Sequence, residues 1–396
     1  MINITKDNKK DCCGCTACEM ACPKHCISMQ RDNEGFLYPV VNTDDCINCN
    51  LCEKVCPVIN SEKTEDLPKR AYIVRNKDEK ILKQSTSGGA VTPLCRQILA
   101  QNGVLYGGAF GDDYYVKHIR VTDEAELYRF RGSKYVQSDM TDTYSKVKDD
   151  LNDNRVVMFA GTPCQVEGLL RYLKKPYENL FTVDFICRAV PSPMVWENYR
   201  KFMEQKYNSK ITYASFRDKI YGYHSSSLAL KFKNGKSSYE NTKTDYMLKS
   251  FFDGVTARPS CFDCKFRKAK RVSDLTVFDC WNITRYVPEL KDDDKGYTAV
   301  FVQSEKGQKM LDSVKDEYIM YDADVALLVK NDGHIALENP PKNKNRDKYF
   351  ELLNSGMTID RVVKETIPVK TSRKIFGKFR GTLYKTGLLN LLKKLK

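Results

Sequence analysis

The chain has 396 residues, enough for two or three domains, and a formal charge of +14. No apolar run reaches the roughly 18 residues of a membrane-spanning helix, and Met1 to Lys10 lack the apolar core of a secretion signal. Sixteen cysteines in such a chain point to a reducing cytosol and metal ligation and away from a disulfide scaffold.

The first 60 residues carry a doubled spacing. Cys12-x2-Cys15-x2-Cys18-x3-Cys22-Pro23 is followed by Cys46-x2-Cys49-x2-Cys52-x3-Cys56-Pro57. A thiolate at every third position wraps one corner of an iron–sulfur cube, and the more distant fourth Cys reaches across to the other cube. The expected sets are Cys12, Cys15, Cys18 and Cys56 on one 4Fe–4S cluster, and Cys22, Cys46, Cys49 and Cys52 on the second. Zinc sites pair their C-x2-C units over different gaps. Each oxidised cluster with its thiolates carries about −2, which lowers the charge to about +10. Short strands are expected over Ile27 to Met29 and Phe36 to Val41, around an Asn33-Glu34-Gly35 turn. Cys13 and Cys26 fall outside the spacing and read as small buried thiols.

Residues 61–70, charged and with one proline, read as a linker. An α/β pattern follows: a strand from Ala71 to Val74, a short helix from Asp78 to Gln84, then Thr86-Ser87-Gly88-Gly89, a helix from Ala90 to Gln101 and a strand from Val104 to Phe110. Glycines at a strand-to-helix junction let backbone approach a ligand, and the helix start presents N–H groups to phosphate; an ordinary tight turn is the competing reading. A strand from Tyr115 to Val121 and a helical Glu124 to Phe130 lead to Arg131-Gly132-Ser133-Lys134-Tyr135-Val136-Gln137. Its two cations, Gly, Ser and aromatic ring suit a diphosphate and a flat ring, or make a plain surface loop.

After a helix from Thr143 to Asn152, a buried parallel strand from Arg155 to Ala160 ends in Gly161-Thr162-Pro163-Cys164-Gln165, ahead of a helix from Val166. The next strand, Leu180 to Ile186, ends at Cys187. Both cysteines thus stand at carboxyl ends of successive strands, the edge where open α/β sheets place their sites. A helix running to Tyr207, three antiparallel strands between 211 and 240 with an Asn234-Gly235 turn, and a helix from Asp245 to Phe252 lead to Cys261-x2-Cys264. A strand from Asp274 to Cys280, another from Thr298 to Gln303 and a helix from Lys306 to Lys315 follow. Cys164, Cys187, Cys261 and Cys264 form a four-thiol set suited to a third 4Fe–4S cluster or to zinc, with unligated thiols as the alternative. A third cluster would take the charge to about +8. Cys95 and Cys280 have no assigned role. Beyond residue 330 the chain is polar and basic. Its last stretch, with Lys374, Lys378, Arg380, Lys385, Lys393, Lys394 and Lys396 among Ile375, Phe376, Phe379 and several Leu, reads as basic amphipathic helices for a membrane surface, a partner, or packing against the body.

The order of these segments, with Val190-Pro191-Ser192-Pro193 between them, resembles the beta-subunit family of coenzyme F-420 hydrogenases and dehydrogenases, in its bacterial form with a two-cluster ferredoxin in front. The likeness runs from about residue 10 to about residue 320. It implies an α+β / α/β chain, with a two-cluster ferredoxin fold at 1–60 and an FAD-binding α/β region with a mixed sheet whose parts are 71–150 and 151–330; the linker at 61–70 and the basic helical tail at 331–396 are expected from composition. The resemblance also implies that Cys164, Cys187, Cys261 and Cys264 hold a 4Fe–4S cluster beside FAD, and that Thr86, Ser87, Gly88, Gly89, Gly132, Ser133, Lys134 and Tyr135 contact the flavin. The redox partner it implies is a ferredoxin or a deazaflavin, with a small-molecule substrate and a link to cell-surface polysaccharide metabolism; a cytoplasmic setting, no nucleic acid and peripheral membrane contact through the basic tail are expected from the composition. Two departures stand out. Cys187-Arg188-Ala189 replaces the family's Cys-His-Gly, and Phe278-Asp279-Cys280-Trp281-Asn282 replaces Gly-Asp-Phe-Trp-Gly. A His able to relay protons is thereby replaced by a permanent cation. Arg188 and Lys134 are the expected anion contacts, and Arg188, Tyr135 and Asp279 the candidate catalytic residues. The expected activity is an iron–sulfur flavoprotein oxidoreductase. The alternatives are an electron-transfer subunit serving a partner enzyme, and a membrane-surface scaffold with a degenerate flavin pocket.

Overall fold

In a computed structural model, residues 1–5 and 7–388 are described; the side chains of Lys374 and Lys378, and Lys393, Lys394 and Lys396, lie outside the described residues. Near the N-terminus β1 (Ile27–Arg31) and β2 (Leu37–Val41) pair antiparallel around the expected turn. The body is built on β3 (Arg70–Asn76), β4 (Val104–Phe110), β5 (Val116–Val121), β6 (Val157–Gly161), β7 (Leu180–Phe185), β11 (Leu275–Cys280), β12 (Tyr297–Val302) and β13 (Tyr318–Ala323). These form one eight-stranded mixed sheet in the order β13-β3-β12-β11-β7-β6-β4-β5. Its middle is parallel, from β11 through β7 and β6 to β4, and both flanks are antiparallel. β8 (Ile211–Asp218), β9 (Ser227–Phe232) and β10 (Ser237–Glu240) make a separate antiparallel sheet.

The parallel strands Val157–Gly161 and Leu180–Phe185 are almost wholly buried because helices cover both faces of the sheet. One face packs Leu94, Cys95 and Ile98 of the helix Val91–Leu99 and Leu311 of the helix Glu305–Ser313. The other packs Tyr144, Val147 and Leu151, then Val166, Leu169 and Leu173 of the helix Pro163–Leu173, and reaches Ala17 and Val55 of the N-terminal unit. A third core lies under the small sheet, between the helix Pro193–Tyr207 and the helices Arg346–Asn354 and Ile359–Thr366.

The helix expected from Val166 starts earlier, at Pro163. Thr162 caps it, exchanging hydrogen bonds with Gln165 in a capping box, and proline is pre-set for the first helical position. Cys164 therefore sits in the first turn of a helix. The stretch beyond 313 is more regular than its composition suggests. β13, at the sheet edge, pairs with β3, and the helix Ile359–Thr366 buries Ile359, Val362 and Val363.

The N-terminal unit is held tightly to the body. The guanidinium of Arg346 grips both carboxylate oxygens of Glu34 at 2.6 and 2.5 Å. A side chain at Gly35 would come within 2.4 Å of Met194, so the turn packs flush on the helix Pro193–Tyr207. No described helix is long and apolar enough to cross a membrane.

Candidate functional site

Three groups of candidate residues stand out. In the N-terminal unit Cys15, Cys18, Cys22, Cys26, Cys52 and Cys56 are buried, Cys12 and Cys46 are half-buried, and Cys49 is exposed. Cys18 is pushed well above the ordinary thiol range by burial, then by Cys12 and Cys56, and less by Cys52. Cys22, Cys46, Cys49 and Cys52 line a separate cavity of ≈20 Å³ with Cys26. The Sγ atoms of Cys22 and Cys26 are 3.3 Å apart. Both thiols outside the ligand spacing therefore border ligand positions: Cys26 on Cys22, and Cys13 between Cys15 and Cys164. Cys26 is four residues from Cys22 and Cys13 two from Cys15; only the approach of Cys13 to Cys164 lies beyond the reach of local spacing.

The second site collects cysteines from three parts of the body. Cys164 follows β6, Cys187 lies two residues beyond β7, and Cys261 belongs to the 3-10 turn Pro259–Asp263, with Cys264 just after it. All four line one cavity of ≈40 Å³, together with Cys13, Arg267 and Arg271. Burial and the Cys261 thiol push Cys187 well above the ordinary range, and burial takes Cys261 to about 12. Thiols this buried stay protonated unless a cation holds them as thiolates, which is the chemistry of a metal-ligand set. Arg267 fixes the backbone there, donating to the carbonyls of Cys187 and Ile335 at 2.6 Å and of Arg188 at 2.5 Å. Among the described residues no three His, Cys, Asp or Glu side chains close around a single-ion position.

The third site is a cavity of ≈820 Å³ at the carboxyl edge of the parallel strands. It shares Thr162, Cys187, Ala189 and Val190 with the wall of the four-thiol cavity. Thr86, Ser87, Gly89, Gly132, Ser133, Lys134 and Tyr135 line it, and Gly88 does not. Gly88 instead faces the sheet, where a Cβ would lie 2.4 Å from the carbonyl of Val74, and its N–H donates to Thr298 Oγ1 at 2.8 Å. The two glycine-bearing segments meet: Ser133 N–H donates to Thr86 Oγ1 at 2.8 Å across 47 residues. Lys134 turns its ammonium back onto the carbonyls of Arg129 and Arg131, at 2.7 and 3.3 Å, and burial lowers its pKa to about 7. Arg188 lies over the Phe252 ring on the cavity wall.

Tyr135 and Asp279, 144 residues apart in the chain, are joined by Arg217. Its Nη1 donates to Tyr135 Oη at 3.2 Å and to Asp279 Oδ2 at 3.1 Å, its Nε to Ser226 at 2.8 Å, and its plane lies over Trp281. Tyr223 donates to the second oxygen of Asp279 at 3.0 Å. Sequence reading passed over Arg217, an ordinary strand residue of β8 until the small sheet swings it under the cavity. His118, also on the wall, is buried over Phe159, and burial lowers its pKa to about 4. The last described helix, Thr371–Lys385, brings Arg373, Phe376 and Arg380 to the cavity rim, with Arg380 Nη1 on Ser227 at 2.9 Å.

Residues 11–60 match the family described as "4Fe-4S dicluster domain". Two further stretches match the family described as "Coenzyme F420 hydrogenase/dehydrogenase, beta subunit": residues 71–144 its N-terminal part, and residues 154–325 its C-terminal part. Among solved structures the chain is similar to one from the F420-reducing [NiFe] hydrogenase complex of Methanosarcina barkeri, at 16% identity and a TM-score of 0.43, over 76% of this chain and 95% of that one.

Proposed function

The chain belongs to the coenzyme F420 hydrogenase/dehydrogenase beta-subunit family, is an electron-transferring oxidoreductase and carries a 4Fe–4S dicluster domain ahead of the family region; from that premise we propose that it is an iron–sulfur flavoprotein reducing a small anionic substrate. The single observation that carries the reading is the wall shared by the four-thiol cavity and the large cavity, with Cys187 facing both. The large cavity has the size range of cofactor sites.

Cys12, Cys15, Cys18 and Cys56, then Cys22, Cys46, Cys49 and Cys52, are the ligand sets of the dicluster domain in this reading, and Cys164, Cys187, Cys261 and Cys264 hold a third 4Fe–4S cluster. Clusters supply single electrons and a flavin collects two for a hydride. The Thr86–Ser133 clasp, with Ser87, Gly89 and Gly132, forms the cradle for FAD. Arg188, Arg373 and Arg380, none in an ion pair among the described residues, give the cavity a positive wall, which selects an acidic substrate. Tyr135 Oη, held by Arg217, is the proton donor we assign; Asp279, engaged by both Arg217 and Tyr223, anchors the pair.

Anaerobic purification tests this. The reading expects about twelve irons and one FAD per chain, with the flavin bleached by a reduced ferredoxin. Eight irons and no flavin would sink it. The exposed Ile375 and Phe379 on the last described helix favour a second reading, a subunit docked on a partner enzyme or membrane surface. Flavin reduction without turnover of any added acceptor would support the subunit.

A further inference from the structure

Arg258 is fully buried, 0% exposed, immediately before the turn that carries Cys261. Among the described residues no carboxylate lies within ion-pair distance of it. Of the other buried arginines described, Arg75, Arg217, Arg271 and Arg346 each have one, and Arg380, which rests on Ser226, Ser227 and the Tyr221 ring, does not. A guanidinium taken out of water without a counter-charge is strongly unfavourable, so its surroundings must supply negative charge in another form. Those surroundings are the Cys12 sulfur, three oxygen acceptors and the ring faces of Tyr38 and Phe36, 4.2 and 5.3 Å from the guanidinium carbon. Its Nη2 lies 3.5 Å from Cys12 Sγ and donates to the Leu37 carbonyl at 2.8 Å, while Nε donates to the Cys12 carbonyl at 2.7 Å. The Arg258 carbonyl accepts the N–H of Cys261 at 2.9 Å, which ties the same residue to the four-thiol set. Nη1 donates to Gln137 Oε1 at 3.0 Å, and Gln137 in turn donates to the Cys13 carbonyl.

The packing is built for this approach. Gly14 has φ +70°, and a Cβ there would lie 2.6 Å from Arg258 Nη1. At Gly168, on the helix begun by Pro163 and Cys164, a Cβ would lie 3.1 Å from Cys15 Sγ. Cys13 fills the gap between Cys15 and Cys164. The cavity of Cys22, Cys46, Cys49 and Cys52 is lined only by residues 1–52.

We propose that Arg258 is the shared positive counter-charge of two cluster sites, the Cys12/Cys15/Cys18/Cys56 set and the Cys164/Cys187/Cys261/Cys264 set, and that the former is the set facing the body. The inference rests on the third cluster proposed above. Each electron added to either set adds one negative charge with no bond formed or broken. A fixed cation in a water-poor site favours that reduced state, and the N–H···S bond to Cys12 acts in the same sense. The Cys22/Cys46/Cys49/Cys52 set has no described contact with Arg258 and serves as the outer entry, consistent with the exposed Cys49.

The test is a redox titration of the full-length, cluster-loaded protein followed by electron paramagnetic resonance. Arg258→Met should move two of three cluster midpoints to more negative values and leave one in place, whereas Arg258→Lys should keep all three near wild type. Gln137→Glu adds a carboxylate beside Arg258 at nearly constant volume and should move the same two midpoints the same way. It decides the matter alone if the methionine variant fails to assemble. Midpoints that stay put in Gln137→Glu, or a shift of one or of all three, would overturn the proposal. About twelve irons with unmoved midpoints would overturn it alone; about eight irons in the wild type would overturn it together with the third cluster.

Discussion

The N-terminal unit and the large cavity reach their chemistry by opposite routes. In the first, eight cysteines at short fixed intervals fold around sites made almost wholly from residues 1–60, with one arginine added from the body. In the second, the wall is assembled from a dozen or so short segments between Ser85 and Arg380, many of them tens to hundreds of residues apart in sequence. The four-thiol site stands between them in both position and construction: one C-x2-C pair is local, and two cysteines are delivered by adjacent parallel strands. Legibility in the sequence follows the same gradient, because a spacing rule reports only contacts the chain makes with itself over a few residues.

The sharpest way to break this comparison is at the junction. Cys187→Ser should remove about four irons per chain and lower donor-dependent flavin reduction beyond the roughly 10- to 100-fold typical of losing an outer partner. Cys280→Ser, away from the thiol sites, should leave the iron count unchanged. Iron analysis and stopped-flow reduction of both variants check this.

Next in size is Arg217, on which the cavity wall depends. Arg217→Met strands Asp279 beside Tyr135 and Tyr223 and should cost about 3–5 kcal/mol, read as a lowered denaturant midpoint. An equal loss in the Asp279→Asn, Arg217→Met double variant would break the assignment, since the stranded charge is then gone.

A pH test addresses the same wall. His118 is held below its unfolded pKa, so the unfolded chain binds a proton that the native one refuses. Its contribution is present above about pH 6.5 and is lost as pH falls toward about 4, which amounts to roughly 2 kcal/mol between pH 7 and pH 5. His118→Gln should flatten that part of the stability profile.

Two smaller effects sharpen the contrast between loop and cap. Gly88→Ala forces its Cβ against the carbonyl of Val74 and should cost about 1–3 kcal/mol. Asp78→Ala removes the side chain that accepts from the N–H groups of Lys80 and Ile81 and should cost about 1 kcal/mol, visible as a modest drop in melting temperature.

Particular residues show where sequence reading stopped. Strands β4, β6 and β7 are legible because burial on both faces makes continuous apolar runs, and the turns are legible at Gly and Asn. Gly88 was legible as a special position but for the wrong neighbour, since the β3–β12 pair behind it comes from a strand more than 200 residues later. Lys134 looked like a free cation in its motif, yet the preceding 3-10 turn offers it two carbonyls. Arg217, His118 and Arg258 gave no signal, because a lone basic residue in a strand or loop has no local pattern to mark it. The tail beyond 313 was under-read: its buried residues are sparse in sequence and align only when β13 joins the sheet edge and the last helices close over the small sheet.

By itself the sequence determined the doubled thiol spacing, the parallel strands that lead to Cys164 and Cys187, and the family, since each depends on intervals of a few residues or on runs of apolar side chains. Only the tertiary structure decided which cysteines adjoin, that Arg217 joins Tyr135 to Asp279, and that Arg258 is buried against sulfur with no carboxylate. Those are meetings of segments tens to hundreds of residues apart. They are made by the strand order of the mixed sheet and by the docking of the N-terminal unit on its carboxyl edge, and no interval along the chain records them.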